Sequence, residues 1–158
     1  NREALDLAVV EVYFDERGRP AERPAPSTLP SHQVTVLSVY GSLYYAGART
    51  LQVRLPDPTG SKQPAVVLRL RGRTSLGATA YAVLQQYAQK LAAVGGSLTL
   101  TGLTPGVLDE LRRTGRFDLE GPITLLPATE VLFESTEKGY RAAEAWIMAR
   151  EPDQDGTS

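Results

Sequence analysis

The chain has 158 residues, a hydrophobic fraction of 42% and a formal net charge of -1, which is typical of one soluble globular domain. The near-neutral charge argues against nucleic acid as a partner, because phosphate-binding surfaces usually carry a basic surplus. Without cysteine and with one histidine, the chain offers no disulfide, no thiolate or histidine metal cluster and no Ser-His-Asp triad.

No run approaches the roughly 18 apolar residues that a membrane helix needs, so we expect no direct membrane insertion. The chain begins with Asn and is strand-like within a few residues, which suggests a fragment of a longer protein.

The first elements are strands separated by a proline-rich segment. Residues 7–14 (LAVVEVYF) are predicted to form a strand from their Val, Tyr and Phe content. Residues 15–33 turn the chain and continue as a proline-rich connection with no helix or strand signal. We interpret this connection as a spacer against the domain surface, with a polyproline ligand as the alternative.

Strands then alternate with helices along the chain. The apolar spacing predicts strands at 34–40, 65–71, 97–101 and 123–126 and helices at 46–55, from about 78 to 94, at 105–114 and at 128–150. Thr104 is the expected N-cap of the third helix, with Pro105 at its first position. Val131 and Leu132 fall on the predicted inward stripe of the last helix, and the polar tail 151–158 is expected to be disordered.

This alternation predicts an α/β fold with a mixed sheet of about five strands. Polar residues recur at every second position of three strands, as at Ser97, Thr99 and Thr101. We therefore expect helices mainly on one face, with the other face partly open or covered by something outside this fragment. Residues 1–150 would form one domain, in which 1–33 hold the first strand and the connection and 34–150 the core.

The segment between the strand at 65–71 and the next helix is the best candidate site. Loops at the carboxyl ends of strands commonly hold sites in α/β proteins, and a helix N-terminus can bind an anion. The candidate contact residues are Gly72, Arg73, Thr74, Ser75, Gly77 and Ala78. Arg69 and Arg71 are expected to pair with carboxylates such as Glu11, and Arg73 is the better candidate for contact with a ligand or partner.

Three segments carry a family resemblance: VTVLSVYGSLYYAGARTLQ, VVLRLRGRTSLGATAYAVLQQYAQKLAAVGGSLTLTGL and ATEVLFESTEKGYRAAEAWI. Together they closely resemble the C-terminal cytoplasmic STAS domain of bacterial SulP-type anion transporters. The resemblance implies a βα-superhelix fold without enzymatic activity or a resident cofactor. It further implies a transmembrane domain of the same polypeptide, carrying sulfate, bicarbonate or related anions, at the cytoplasmic face of the inner membrane. Whether the domain forms a homodimer is left undecided by the resemblance.

The resemblance also singles out Thr79. STAS proteins that act alone as anti-sigma factor antagonists carry an Asp-Ser-Ser-Gly-like motif whose second hydroxyl is phosphorylated. That motif falls on Gly77, Ala78, Thr79 and Ala80, so its acidic residue and first serine are absent here. Thr79 is interpreted either as a helix cap or inward-packed residue, or as a phosphoacceptor beside the helix N-terminus. A free-standing antagonist switched by phosphorylation is the alternative function.

Guanine or adenine nucleotides have been proposed as ligands of STAS domains. The segment RGRTSLGAT lacks the lysine with which a P-loop reaches phosphates. A nucleotide is therefore the minor alternative to having no cofactor.

Overall fold

The computed structural model describes residues 7–73, 75–114 and 123–150, which contain six strands and four helices. The strands are β1 (Ala8–Phe14), β2 (Pro20–Pro24), β3 (Val34–Tyr40), β4 (Ala65–Arg69), β5 (Ser97–Leu103) and β6 (Ile123–Pro127). The helices are α1 (Ala46–Arg54), α2 (Ala78–Ala93), α3 (Pro105–Thr114) and α4 (Glu134–Arg150). The expected tail at 151–158 lies outside the described residues.

The six strands form one mixed sheet in the order β2-β1-β3-β4-β5-β6. Strands β3 to β6 are parallel, and β1 is antiparallel to both β2 and β3. Helices α1, α2 and α3 share the larger apolar core with one face of this sheet, and α4 packs on the opposite face. The predicted α/β fold, with helices mainly on one face of a mixed sheet, is confirmed.

The central strand β4 shows how the sequence builds two cores. All five of its residues are buried. Because successive side chains of a strand point to opposite faces, Val66 and Leu68 face the three-helix core while Ala65 and Val67 face α4. The alternation predicted for this strand is therefore confirmed, and the edge formed by its carboxyl end lies at the centre of the domain.

Beneath α4, strand β5 presents hydroxyl groups beside the apolar side chains that β3 and β4 contribute to the same face. The hydroxyl oxygens of Thr101 and Thr136 lie 2.8 Å apart, and the Gly102 N–H donates to Ser135 Oγ over 2.9 Å. The expectation that this face would be partly open, or covered from outside the fragment, is thus wrong for its centre. The Thr101 hydroxyl is satisfied by α4, so at this position of β5 a polar residue did not signal exposure to water.

The proline-rich connection contains a strand that the sequence analysis missed. Pro20–Pro24 pairs with β1 in an antiparallel register and forms an edge of the sheet. Proline lacks an N–H donor, but an edge strand needs donors on one side only, so prolines are tolerated there.

The last helix begins later than predicted. Ala128 N–H still donates to Leu103 O over 2.8 Å, which extends the sheet pairing past β6. Thr129 Oγ1 then accepts from Val131 N–H, and Phe133 has a positive φ of 67°, so α4 starts only at Glu134. The exposed fractions of Val131 and Leu132 are 59% and 63%, and their predicted inward position is wrong.

The closeness of α4 to β5 depends on Gly139. A Cβ at this position would lie 3.0 Å from Thr101 Cγ2 and 3.2 Å from Thr99 Cγ2. A larger side chain must therefore push the helix away from the sheet.

We predict that Gly139→Leu lowers the free energy of unfolding by about 1–3 kcal/mol, the usual cost of overpacking. Urea unfolding followed by circular dichroism measures the change. The control is Ala145→Leu, at an exposed position of the same helix. Equal stability of the two variants would contradict the close packing described here.

Candidate functional site

The predicted site lies where β3, β4 and β5 end. Residues 41–45 connect β3 to α1, and residues 70–77 connect β4 to α2. We define the loop surface as residues 41–45, 72, 73 and 75–79; Thr74, one of the predicted contact residues, lies outside the described residues. The exposed residues of this surface include Gly72, Ala78, Thr79, Tyr44 and Tyr45.

The side chain of Arg73 ties the two loops together. Its Nη1 donates to Gly41 O over 2.6 Å and its Nη2 donates to Val39 O over 3.0 Å. Its own carbonyl accepts from Thr104 Oγ1 over 2.7 Å, and that hydroxyl accepts from Val107 N–H as the predicted cap of α3. Arg73 thus connects the ends of three neighbouring strands.

Burial of the Arg73 guanidinium lowers its pKa from the ordinary value, because leaving water disfavours the charged form. The group nevertheless stays protonated near neutral pH. Two backbone carbonyls, which carry partial negative charge, are its hydrogen-bond partners. The geometry describes a residue that positions the loops through two of its donors, while its buried Nε–H has no partner among the described residues.

The two preceding arginines also contact the protein. Arg71 Nη1 donates to Thr129 O over 3.2 Å, which holds the segment before α4. Arg69 has an exposed fraction of only 9%; its Nη1 donates to Ser38 Oγ over 3.3 Å, and its guanidinium carbon lies 4.2 Å from the centroid of the Phe133 ring. A cation over an aromatic face is a stabilising contact.

The expected pairing of these arginines with Glu11 is wrong. Glu11 Oε1 accepts from Arg23 Nε over 3.1 Å. Glu11 is opposite Leu37 in the sheet register, and Leu37 belongs to the three-helix core. Glu11 and Arg69 therefore point to different faces of the sheet.

Helix α2 begins at the loop surface without a side-chain cap. Gly77 is the N-cap, and its φ of 83° with ψ of 158° is a conformation that essentially only glycine adopts. A Cβ on Gly77 would also lie 3.2 Å from Tyr44 Cδ1, so the tyrosine ring packs directly against the glycine. This contact joins the two loops a second time.

Thr79 is the second residue of α2, and its side chain is exposed. Its hydroxyl makes no hydrogen bond to any described residue. The interpretation of Thr79 as a cap or an inward-packed residue is therefore wrong. The hydroxyl stands at the positive end of the helix dipole, in contact with solvent.

Beneath the surface, Ser75 connects the loop to α3. Ser75 Oγ donates to Glu110 Oε2 over 3.0 Å. The other carboxylate oxygen of Glu110 and the hydroxyl of Tyr81 are buried and have no hydrogen-bond partner in the described part of the chain. Sequence reasoning missed this contact; the signal was the position of Glu110 three residues after the buried Val107.

In residues 7–73, 75–114 and 123–150, no group of three or more His, Asp or Glu side chains is placed to hold a metal ion. Over the same residues, none of the helices combines the length and apolarity needed to cross a membrane.

Tyr81 and Tyr87 are a matched pair on α2, each with an exposed fraction of 5%. The Tyr87 hydroxyl donates to Pro56 O over 2.7 Å, whereas the Tyr81 hydroxyl, whose pKa is raised by burial and by the nearby Glu110 carboxylate, does not reach hydrogen-bonding geometry with that carboxylate. Loss of a satisfied buried bond costs more than loss of an unsatisfied hydroxyl, so Tyr87→Phe should lower the free energy of unfolding by about 1 kcal/mol. Tyr81→Phe should cost less than half as much in the same urea titration. A larger cost for Tyr81→Phe would contradict the hydrogen bonding described here.

The buried hydroxyl of Tyr87 should also make the unfolding free energy depend on pH in alkaline solution. Burial, and then the negative charge of Asp57, raise the pKa of Tyr87 above its ordinary value. The stability that this protonated phenol contributes is complete below the unfolded-state pKa of about 10 and is lost as the pH rises above it. Tyr87→Phe should therefore show a shallower decline in unfolding free energy above pH 10 than the wild type.

Two comparisons with known proteins agree with this architecture. The family model of the STAS domain matches residues 25–131, which is more than half of the chain. A solved structure described as "The overall structure of SLC26A9" matches with a TM-score of 0.57 and 8% sequence identity, over 90% of this chain and 25% of that one. At this identity the likeness shows the fold alone, and the present chain spans about a quarter of the length of its structural relative. No curated protein sequence matches. From the family match and the fold together, the chain belongs to the STAS-domain family.

Proposed function

We propose that this STAS domain is a non-catalytic regulatory and interaction domain of a SulP-type secondary transporter of inorganic anions, of the sulfate or bicarbonate class. It would act at the cytoplasmic face of the inner membrane and contact the transmembrane domain of the same polypeptide. The proposal rests on one observation. The chain has a STAS fold, and in its structural relative the matching region makes up only a quarter of the protein. The sequence resemblance to the SulP STAS domain supplies the transporter class.

The loop surface supports a role in contacts. The exposed fractions of Tyr44 and Tyr45 are 50% and 84%. Tyrosine is enriched at protein interfaces because a large ring provides contact area at a small cost in conformational entropy. The loops that carry these rings are fixed by Arg73 and Gly77, so the rings are presented to a partner with little further ordering.

The positions of Arg73 and Ser75 support a domain that does not catalyse. Both side chains are already bonded to neighbouring parts of the domain, Arg73 to two carbonyls and Ser75 to a carboxylate. These hydrogen bonds hold the loops in shape. The loop surface is then available to bind a partner protein or domain.

Thr79 is the residue where we propose regulation of this contact. Its hydroxyl is exposed and lies one residue inside α2. A phosphate there would add roughly two negative charges beside the helix N-terminus, which favours negative charge. The same chemistry would serve a free-standing anti-sigma factor antagonist, so phosphorylation alone does not decide between the two functions.

The test begins with the gene and continues with transport. We expect the sequence upstream of Asn1 to encode ten or more hydrophobic spans. In proteoliposomes holding the full-length product, Tyr45→Asp should change the initial rate of sulfate or bicarbonate uptake about fivefold, as expected for an interface residue contributing ~1 kcal/mol. The matched control is Phe14→Asp, an exposed aromatic at the opposite end of the sheet.

The absence of such spans from the gene would refute the transporter proposal. If the spans are present but uptake is unchanged in Tyr45→Asp, or equally changed in Phe14→Asp, the loop surface is not the regulatory contact.

A further inference from the structure

A groove of about 300 Å³ lies between α4 and the edge of the sheet formed by β5 and β6. It is on the opposite face from the three-helix core and is separate from the loop surface. Its walls include Ser97, Thr99, Thr124, Lys138, Ala142 and Trp146.

Thr99 provides the first sign that this groove holds a ligand. Its exposed fraction is 8%, yet its hydroxyl makes no hydrogen bond to any described residue. The next hydroxyl on the same face of β5, that of Thr101, is bonded to Thr136. The Thr99 hydroxyl therefore keeps contact with solvent inside the groove, whereas the Thr101 hydroxyl is satisfied within the domain. Thr99 lines the groove and can bond to a molecule within it.

A cation and a second hydroxyl stand close to Thr99. Thr124 is its direct partner in the β5–β6 register. Lys138 precedes Gly139, whose Cα is within reach of the Thr99 methyl group. Lys138 forms no ion pair with a described residue, whereas on the same helix Arg141 Nη2 lies 3.7 Å from Glu137 Oε2. One end of the groove therefore combines an ammonium group with two hydroxyls, which are suitable donors for a carboxylate.

Toward its other end the groove is lined mainly by apolar side chains, with Ser97 as a polar residue among them. Because Ser135 contacts Gly102 and Thr136 contacts Thr101, α4 starts at the carboxyl end of β5 and runs back along it. Trp146 follows Lys138 by eight residues, or about 12 Å of helix, and lies toward Ser97. Between them the floor is made of small residues, Gly139 and Ala142. The groove thus carries the Lys138 ammonium at one end and the Trp146 ring at the other, where the Arg150 guanidinium carbon lies 4.5 Å from the centroid of that ring and leaves the opposite ring face for a ligand.

We propose that this groove binds a small organic acid with an apolar or aromatic body. Its carboxylate would contact the Lys138 ammonium and the Thr99 and Thr124 hydroxyls, and its body would lie over Ala142 against Trp146. The volume is at the lower end of the range for small-molecule sites, which limits the ligand to a compact molecule. This ligand site is independent of the function proposed for the loop surface.

Trp146 is the only tryptophan of the chain and makes binding directly observable. The 158-residue chain is titrated with 4-phenylbutyrate, with the uncharged 4-phenylbutan-1-ol and with inorganic sulfate, while the fluorescence of Trp146 is recorded. We expect saturable binding of phenylbutyrate. The alcohol lacks the carboxylate and sulfate lacks the apolar body, so each should bind at least about tenfold more weakly.

Variants of the lining residues locate the ligand. Lys138→Gln and Thr99→Val should each weaken phenylbutyrate binding about tenfold, and Ala142→Leu should abolish it by filling the groove. Arg141→Gln removes the same charge from the same helix outside the groove and should leave the affinity unchanged. Circular dichroism and urea unfolding verify that each variant is folded; Thr99→Val preserves the shape of the side chain.

Three results would overturn the proposal. They are no saturable fluorescence change with phenylbutyrate, equal affinity for the acid and the alcohol, and unchanged affinity in both Lys138→Gln and Thr99→Val. Isothermal titration calorimetry of the same variants provides a readout that does not depend on the indole.

Discussion

The candidate site depends on the way Arg73 divides its hydrogen bonds between two carbonyls. A guanidinium is a planar fork with fixed donor directions, so it can hold Gly41 O and Val39 O at the same time. Partial burial makes these bonds hard to replace by water. Through them the loop after β4 takes its position from the end of β3, and Thr104 connects that loop to α3. The exposed tyrosines and Thr79 are therefore parts of one surface and not of two independent loops.

Arg69 and Arg71 likewise hold neighbouring segments in place, in their case on the side of α4. Arg71 holds Thr129 O, and Arg69 lies under the Phe133 ring with one bond to Ser38. Residues 69, 71 and 73, at the end of β4 and along its exit, thus each contribute a cation whose described hydrogen-bond partners are neutral groups. Burial of a charge in this way is costly and is sustained only by several oriented dipoles and an aromatic face. We interpret these arginines as the reason why the loops around the carboxyl edge keep a defined shape, a property that a recognition surface needs.

The alternating and helical periodicities were sufficient to predict most of the fold. The limits of β3 and α3 and the two faces of β4 follow directly from the spacing of apolar residues. Periodicity was insufficient where long-range pairing decides the conformation. Pro20–Pro24 is a strand only because β1 lies beside it, and the start of α4 is delayed by pairing between Ala128 and Leu103. Thr101 was predicted to lie on an exposed face because the partner of its hydroxyl, Thr136, lies thirty-five residues away in the sequence.

The strand–loop–helix geometry around the candidate site was predicted from the sequence, but the hydrogen bonding of its side chains was not. A sequence shows that Arg73 can contact an anion, and it does not show that backbone carbonyls 32 and 34 residues earlier already accept from two of its donors. Thr79 is the opposite case, because a residue suited to capping is instead exposed, one position inside the helix. In both cases the backbone geometry of Gly77 and of the end of β3 determines the outcome, and local propensity does not encode it.

The most direct test of this account measures whether Arg73 makes the two loops one unit. Native-state hydrogen exchange is followed at two bonded amides, Gly47 N–H, which donates to Tyr44 O, and Tyr81 N–H, which donates to Gly77 O. Arg73→Lys keeps the charge but replaces two donor nitrogens in a rigid fork with a single nitrogen on a flexible chain, which does not reproduce the two donor positions. The account predicts that exchange becomes faster at both amides together, by about tenfold or more, while Leu100 in β5 keeps its protection. Faster exchange at Tyr81 alone, or no change at either amide, would contradict it.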